Sequence, residues 1–342
     1  MSELICEIIK LEKWAKHPNA DTLGITNIYN FPVIFKLGEF QEGEKLIYFP
    51  IESVVPERKE FEFLWTGKIN PTEKQRMIRA KKLRGIFSMG FLMPARLFNL
   101  EHLEIGTNVA ELIGVKKYIP LEDEDEYYWI DTENRANPTW FHEYTSIQNI
   151  RKYSRIFIPG EEIVCTEKIH GSNIRISYHD DEIFVGSHHR LKRNDNENMW
   201  TNVIKEYDLE NKLKNFPNDI FFGELYGKTQ AKEGYNYGLK DGKCKLVFFD
   251  IYNLEKGRYE DYEQAKYIIY NLGLETTPEI YKGPFISFEE IEKLSDGPSI
   301  LCNGIHNREG VVIKTTKESW NNTVGRKILK IHGETFLLRK KQ

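Results

Sequence analysis

A run of five acidic residues, Glu122-Asp123-Glu124-Asp125-Glu126, divides this chain into two parts of different pattern. The aromatic Tyr127-Tyr128-Trp129 and a polar stretch ending at Pro138 follow it without apolar periodicity, so 121–140 reads as an acidic linker. A chain of 342 residues is long enough for a core on each side. Before the linker, short apolar or alternating runs at 4–9, 32–37, 45–50 and 86–93 are punctuated by Gly24, Gly38, Gly43 and Gly85. That spacing predicts a small all-β barrel over 1–120. After the linker, strand-like runs at 162–165, 174–178, 183–186, 220–225, 246–251 and 310–314 mix with helical spacing at 198–213 and 259–272. The mixture predicts an α+β domain over 141–342 with a mainly antiparallel core.

Several classes are excluded early. The four cysteines, Cys6, Cys165, Cys244 and Cys302, never form a Cys-x-x-Cys pair, which argues against a zinc ribbon and a disulfide framework. The opening residues lack the apolar core of a signal peptide, and no run approaches the roughly 20 apolar residues of a membrane helix. An intracellular (cytoplasmic), soluble, monomeric protein with no membrane partner is expected. A net charge of −4 does not announce nucleic acid, so local charge matters more than the total.

One local cluster stands out. In "VCTEKIHGSNIRI", from Val164 to Ile176, Lys168 lies between strand-like residues with His170, Gly171, Ser172 and Asn173 behind it. A lysine that forms a covalent bond must lose its proton, and at neutral pH only on the order of one free side chain in 10³ has done so. Its surroundings must therefore help, through positive neighbours, burial or a metal. Gly171 suits close approach of the backbone to a ligand, and Ser172 and Asn173 add short hydrogen-bonding groups. Lys-x-x-Gly alone also fits a lysine ending a strand before a turn. Four further stretches follow in order: "FFGELYG" with Glu224, "LVFFDIY" with Phe249 and Asp250, "REGVVIK" with Glu309 and Lys314, and "GRKILKI" with Arg326, Lys327 and Lys330.

In that order the five stretches resemble the nucleotidyltransferase motifs of polynucleotide ligases and mRNA capping enzymes. Lys-Ile-His-Gly in place of Lys-x-Asp-Gly looks like the RNA ligases, and the whole chain resembles ATP-dependent RNA ligases with an N-terminal OB domain, a clade that seals nicks in duplex RNA. The resemblance implies an all-β OB barrel followed by an α+β nucleotidyltransferase domain, an ATP-grasp-like ligase core with antiparallel sheets. It implies ATP and Mg2+ or Mn2+ as cofactors, a lysyl-AMP intermediate, and RNA repair on a nicked duplex or broken stem.

The same resemblance implies roles. Lys168 would be the nucleophile, Glu167 and Ile169 would face the nucleotide through their backbones, and Asn173 would lie in the ATP site. Arg190, in "GSHHRLKRN", would contact the ribose or an RNA phosphate. Glu224 would bind ribose hydroxyls or metal waters, Phe249 would stack on adenine, and Glu309 would hold waters of the metal. The last motif of RNA ligases is often Lys-x-Lys on one strand. Here Ile328 fills the slot two places before Lys330, and Lys327 sits one place off, so the two lysines should face opposite ways on a strand. Either could touch the α-phosphate, with Lys330 favoured.

Only twelve residues follow Lys330, so the barrel is expected to supply what grips the RNA. "HPNADTLGI" at 17–25 is similar to the opening of tRNA-binding OB domains and is also a good turn. "EKQRMIRAKKLRG" at 73–85 sets Arg76, Arg79, Lys81, Lys82 and Arg84, with Lys74, against one acid, a phosphate-tracking composition or a solvated charged face. Arg151 is a further candidate for phosphate contact. A DNA ligase or guanylyltransferase on the same core, and a non-catalytic tRNA- or RNA-binding OB protein, are the alternatives. The latter predicts lost carboxylates, whereas Glu224 and Glu309 are both in place.

Overall fold

The computed structural model describes residues 4–41, 43–118, 137–192, 199–227, 235–239 and 243–339, so most of the acidic linker lies outside the described residues. The chain divides into two units, Met1–Glu124 and Asp125–Gln342. Among the described residues no helix is long and apolar enough to cross a membrane.

The strands of the first unit are β1 (Glu7–Lys10), β2 (Ala15–Lys16), β3 (Leu23–Ile28), β4 (Phe31–Lys36), β5 (Lys45–Phe49), β6 (Ser53–Val54), β7 (Lys81–Leu83), β8 (Ile86–Ser88), β9 (Phe91–Pro94) and β10 (Lys116–Lys117). Sheets run β1-β5-β9 and β2-β3-β4, with the hairpin β7-β8 and the pair β10-β6. The β1-β5-β9 sheet is buried on both faces. Ile8, Ile47, Phe49 and Met93 pack with Phe61, Phe98 and Ile113, whereas Ile9, Leu46, Tyr48 and Leu92 pack with Val33 and Phe35 of β4. Side chains alternate across a strand, so two-sided burial explains why these strands read as continuous apolar runs.

The second unit contains β11 (Gln148–Asn149), β12 (Glu162–Lys168), β13 (Ser172–His179), β14 (Glu182–Gly186), β15 (Leu191–Lys192), β16 (Asp219–Gly227), β17 (Cys244–Asn253), β18 (Arg258–Tyr259), β19 (Glu279–Pro284), β20 (Gly310–Thr315), β21 (Trp320–Asn321), β22 (Gly325–Arg326) and β23 (Ile328–His332). A five-stranded sheet has the order β11-β23-β20-β12-β19, and a six-stranded sheet the order β15-β14-β13-β16-β17-β18. Every pairing in these two sheets is antiparallel except β11 with β23.

Three clusters set the layers of this unit. Phe222 of the large sheet and Ile328 and Val312 of the small one share a core, so the two sheets face each other. The far face of the large sheet, with Ile174, Phe221 and Phe248, packs on helices Met199–Glu206, Leu209–Leu213 and Tyr262–Asn271. The far face of the small sheet, with Ile163, Val311 and Leu329, packs on helix Phe288–Ser295. One departure from the sequence reading is the helix expected over 198–213. It is two helices, broken at Asp208, whose φ of 51° cannot continue an α-helix.

Candidate active site

Strand register assembles the site. Lys168, the last residue of β12, lies opposite Gly310, and Gly310 lies opposite His332, the last residue of β23. The next row is Thr166, Val312 and Lys330, and the one beyond is Val164, Lys314 and Ile328. Directly opposed residues point to the same face and positions two apart repeat it. Val312 and Ile328 belong to the core between the sheets. Lys168, Lys330 and His332 therefore share the face turned toward the large sheet. Within that sheet Glu224 stands opposite Asn173 on the same inward face as Phe222.

Glu309, one residue before β20, ties the row together. Its Oε2 lies 2.8 Å from Lys168 Nζ and 3.7 Å from His170 Nδ1, and its Oε1 lies 3.4 Å from His332 Nε2. Burial alone would raise this carboxyl, but Lys168, His170 and His332 outweigh it and hold Glu309 well below the ordinary carboxylate range. Glu224 shows the opposite outcome. Burial, reinforced by the charge of Glu309 and only partly offset by Lys168, pushes its carboxyl up to about 8. Burial also pushes the His332 imidazole down despite its carboxylate neighbour. Two carboxyl groups of opposite protonation beside one lysine fit a hydrated divalent cation, which would relieve their repulsion and let Glu224 ionise. Asn173 Oδ1, on the face shared with Glu224, is buried with no hydrogen-bond partner among the described residues, which fits a pocket for polar ligand groups.

Two glycines make the close approach possible. A Cβ on Gly171 would meet the Leu225 carbonyl oxygen at 2.0 Å, and one on Gly310 would meet the Ile331 carbonyl oxygen at 2.0 Å. Gly171 is thus required by the neighbouring strand, and its bareness seats the Lys168 turn against β16.

Phe249 reaches the inter-sheet side by an irregularity. Phe222 pairs with Asp250 but the next residue, Gly223, pairs with Phe248, so Phe249 is an extra residue in β17. A bulge of this kind re-aims side chains. Phe249 packs in the inter-sheet core, and the adjacent Asp250 points the same way, toward Lys314 Nζ at 3.1 Å and Arg326 Nη2 at 2.7 Å. Tyr144 donates its hydroxyl to Asp250 at 2.7 Å, and Arg326 donates to both oxygens of Glu318 at 2.7 Å.

A family model described as RNA ligase matches residues 161–332, and an OB-fold domain model matches residues 5–95. The first spans half of the chain and contains β12, β16, β17, β20 and β23 with Lys168, Glu224, Phe249, Glu309, Lys330 and His332. The chain belongs to the RNA ligase family. Its fold is an N-terminal OB-fold domain followed by a nucleotidyltransferase-like ligase domain of mostly antiparallel sheets. Among solved structures it is similar to a mutant of the Naegleria gruberi RNA ligase with ATP and manganese, at TM-score 0.79 and 21% identity over 97% of this chain and 98% of that one. A second mutant of that ligase with ATP and manganese gives TM-score 0.80 at 21% identity over 99% and 100%, and the ligase with pyrophosphate gives 0.79 at 21% over 98% of each. Among curated proteins, none matches in sequence.

The remaining expected site residues of this RNA ligase are distributed as follows. Ile169 is buried with Tyr226 and Tyr237. The Glu167 amide donates to Pro278 O at 2.8 Å, and its carboxylate accepts the Ile300 and Leu301 amides at 2.8 and 3.4 Å. Its backbone amide is therefore engaged within the fold, and its side chain braces the 300–301 loop. Arg190 begins the edge of the large sheet, just before β15. Lys327 is corrected: it lies between β22 and β23, pairs with Glu161 and covers the Phe157 ring, which belongs to the core on the far face of the small sheet. Arg151 is corrected too. Its side chain is buried on the same far side, 2.6 Å from Glu292 and over the ring of Phe288, so it is not open to a phosphate backbone.

The first unit's basic run is one helical turn, Glu73–Arg76, and then the hairpin β7–β8. Arg84 and Gly85 form its turn with φ of 46° and 90°. Arg79, Lys81, Lys82 and Arg84 are exposed, whereas Arg76 donates to Val55 O at 2.9 Å and lies 3.7 Å from Glu57. His17 of "HPNADTLGI" is buried. Its Nδ1 accepts the Asn19 amide at 3.0 Å, so Nε2 carries the proton it donates to Leu83 O at 3.1 Å. Asn19 donates to Arg84 O at 3.0 Å, so the 17–25 stretch clamps the basic turn from beneath.

The residue that sequence reasoning missed is His332. Lys330 and His332 occupy one face of β23, opposite Val312 and Gly310. The spacing was visible in "KILKIHG"; the cross-strand register with Gly310 and Lys168 was not.

Proposed function

We propose that this RNA ligase is ATP-dependent and joins a 3′-hydroxyl to a 5′-phosphate, with a nick in duplex RNA or a broken stem as its substrate. The observation that carries the reading is the row Lys168, Gly310 and His332, with Glu309 2.8 Å from the lysine amine. In this reading Lys168 gives up a proton and attacks the α-phosphorus of ATP, and pyrophosphate leaves. AMP then passes from Lys168 to the RNA 5′-phosphate, and attack by the 3′-hydroxyl releases it. Phe249 would stack on adenine, and Lys330 would act on the α-phosphate as a point charge. Glu224 and Glu309 would hold Mg2+ or Mn2+ through water, and the ion would neutralise charge developing on phosphate. Arg79, Lys81, Lys82 and Arg84 would track the RNA backbone.

Purified protein incubated with magnesium and α-labelled ATP should retain acid-labile label after denaturation, and Lys168→Ala should retain none. Nicked RNA and DNA duplexes then decide the polymer. Label from GTP alone would favour a capping-type guanylyltransferase, and no label from either nucleotide would leave an RNA-binding protein.

A further inference from the structure

Outside the Lys168 site, a second convergence of ligand groups occurs at the tip between β14 and β15. Glu143, His188 and His189 each offer one donor atom, and the three atoms lie within 4.8 Å of one another. His189 Nδ1 is 3.0 Å from Glu143 Oε1, and His188 Nε2 is 3.9 Å from Glu143 Oε2. Adjacent residues of an extended strand point to opposite faces, yet here the two rings meet edge to face at 4.3 Å. A tight turn causes this: Ser187 donates its amide to Arg190 O at 2.8 Å, leaving the two histidines at its centre.

The turn is held from both sides. Arg175, fully buried, donates Nε to Ser187 O at 3.1 Å and stacks its guanidinium on Phe141 at 4.6 Å. Asn137 donates to His189 O at 2.9 Å and accepts the Leu191 amide at 2.9 Å. The donors are therefore presented on a fixed support rather than on a loose loop, the condition a metal site needs.

We propose that Glu143, His188 and His189 form a second metal site that takes a borderline-soft divalent ion of the zinc class. Two imidazoles and one carboxylate are the ligand type of zinc and its neighbours, while magnesium and calcium prefer oxygen. Ligand atoms around a tetrahedral ion with bonds of about 2.0 Å lie about 3.3 Å apart. Small side-chain rotations would bring this set to that spacing. Three protein ligands leave a further coordination position open. The bound ion would tie the 187–190 turn to the segment carrying Glu143 and so fix Arg190 at the start of β15. Nothing in the proposal depends on the ligase reading.

The test is titration of the full chain with Zn2+ in the absence of nucleotide, with Co2+ absorption as a spectroscopic probe. One ion should bind besides any held by Glu224 and Glu309, and Co2+ should give the visible bands of imidazole ligation. The His188→Ala/His189→Ala double variant should weaken binding by on the order of 10²-fold, and Glu143→Gln by on the order of tenfold. His332→Ala, at the nucleotide site, should leave the affinity unchanged. No zinc binding to the wild type, equal binding by the double variant, or loss in His332→Ala would each overturn the proposal. If the double variant does not fold, a wild-type Co2+ spectrum without imidazole character overturns it instead.

Discussion

Two buried clusters of charge join the same pair of sheets, and they are built on opposite principles. Around Asp250, Lys314 and Arg326 answer one carboxylate, Glu318 answers the arginine, and Tyr144 donates to what remains. Burial would raise the Asp250 carboxyl, but Arg326 and Lys314 outweigh it and keep it below its usual range. Around Glu309, one carboxylate faces a lysine and two histidines, a second carboxyl nearby is pushed up to about 8, and Asn173 Oδ1 is left buried without a partner. The first cluster is complete and acts as scaffold. The second is incomplete in the way that a receptor for a charged ligand must be.

The sharpest way to break this contrast is to remove one carboxylate from each. Glu309→Ala should lower lysine labelling by on the order of 10²-fold or more, with little change in the denaturant midpoint. Asp250→Ala should leave Lys314 and Arg326 buried without their partner and cost about 3–5 kcal/mol of stability, read by urea unfolding. If Asp250→Ala is as stable as the wild type, or Glu309→Ala unfolds instead, the assignment of scaffold and receptor is reversed. His332 offers a finer cut. His332→Ala should slow labelling by about tenfold or more, the worth of one hydrogen bond to a charged group, and His332→Lys should restore most of the rate while changing the pH profile, since a lysine does not titrate near neutrality.

Glu224 gives a smaller, pH-dependent signature. Its carboxyl is raised from 4.5 to about 8, so between those values the folded chain holds a proton that the unfolded chain has released. Its contribution to stability is therefore present at acid pH and is lost as pH rises through this window. Thermal midpoints of Glu224→Gln should decline less across pH 5 to 8 than those of the wild type, and parallel curves would contradict the assignment. Metal affinity should rise over the same window in the wild type, because a cation must displace that proton. The smallest effect on chemistry is expected in the other unit. Replacing Lys81, Lys82 and Arg84 with alanine should reduce the salt slope of RNA binding by about 2–3 and leave lysine labelling unchanged.

The two clusters also show what could be read from the chain alone. Glu224, Phe249 and Glu309 each sit beside a glycine or aromatic and Lys168 three residues before Gly171, and these local patterns survive in or at the edge of β12, β16, β17 and β20. What was hidden depends on partners distant in sequence. The Phe249 bulge exists only because β16 skips a residue opposite it. The place of His332 is set by β20, whereas the turning of Lys327 away from Lys330 was already legible in their odd spacing. Arg151 looked like a surface cation until helix Phe288–Ser295 covered it. In the first unit, the basic run reads as a charged face, but His17 and Asn19, more than sixty residues earlier, clamp its turn.

The register row has a consequence for how the enzyme comes into being. Lys168 is made first, and the strand that ends at His332 is added about 160 residues later. At about 5–20 residues per second during synthesis, the lysine spends several seconds to half a minute as an ordinary side chain on a growing polypeptide. For most of that time neither Glu309 nor His332 exists to face it. Attachment of AMP should therefore be a post-synthetic event: ribosome-bound fragments stalled before β23 should stay unlabelled when mixed with ATP, and labelling should begin only once that strand has joined its sheet.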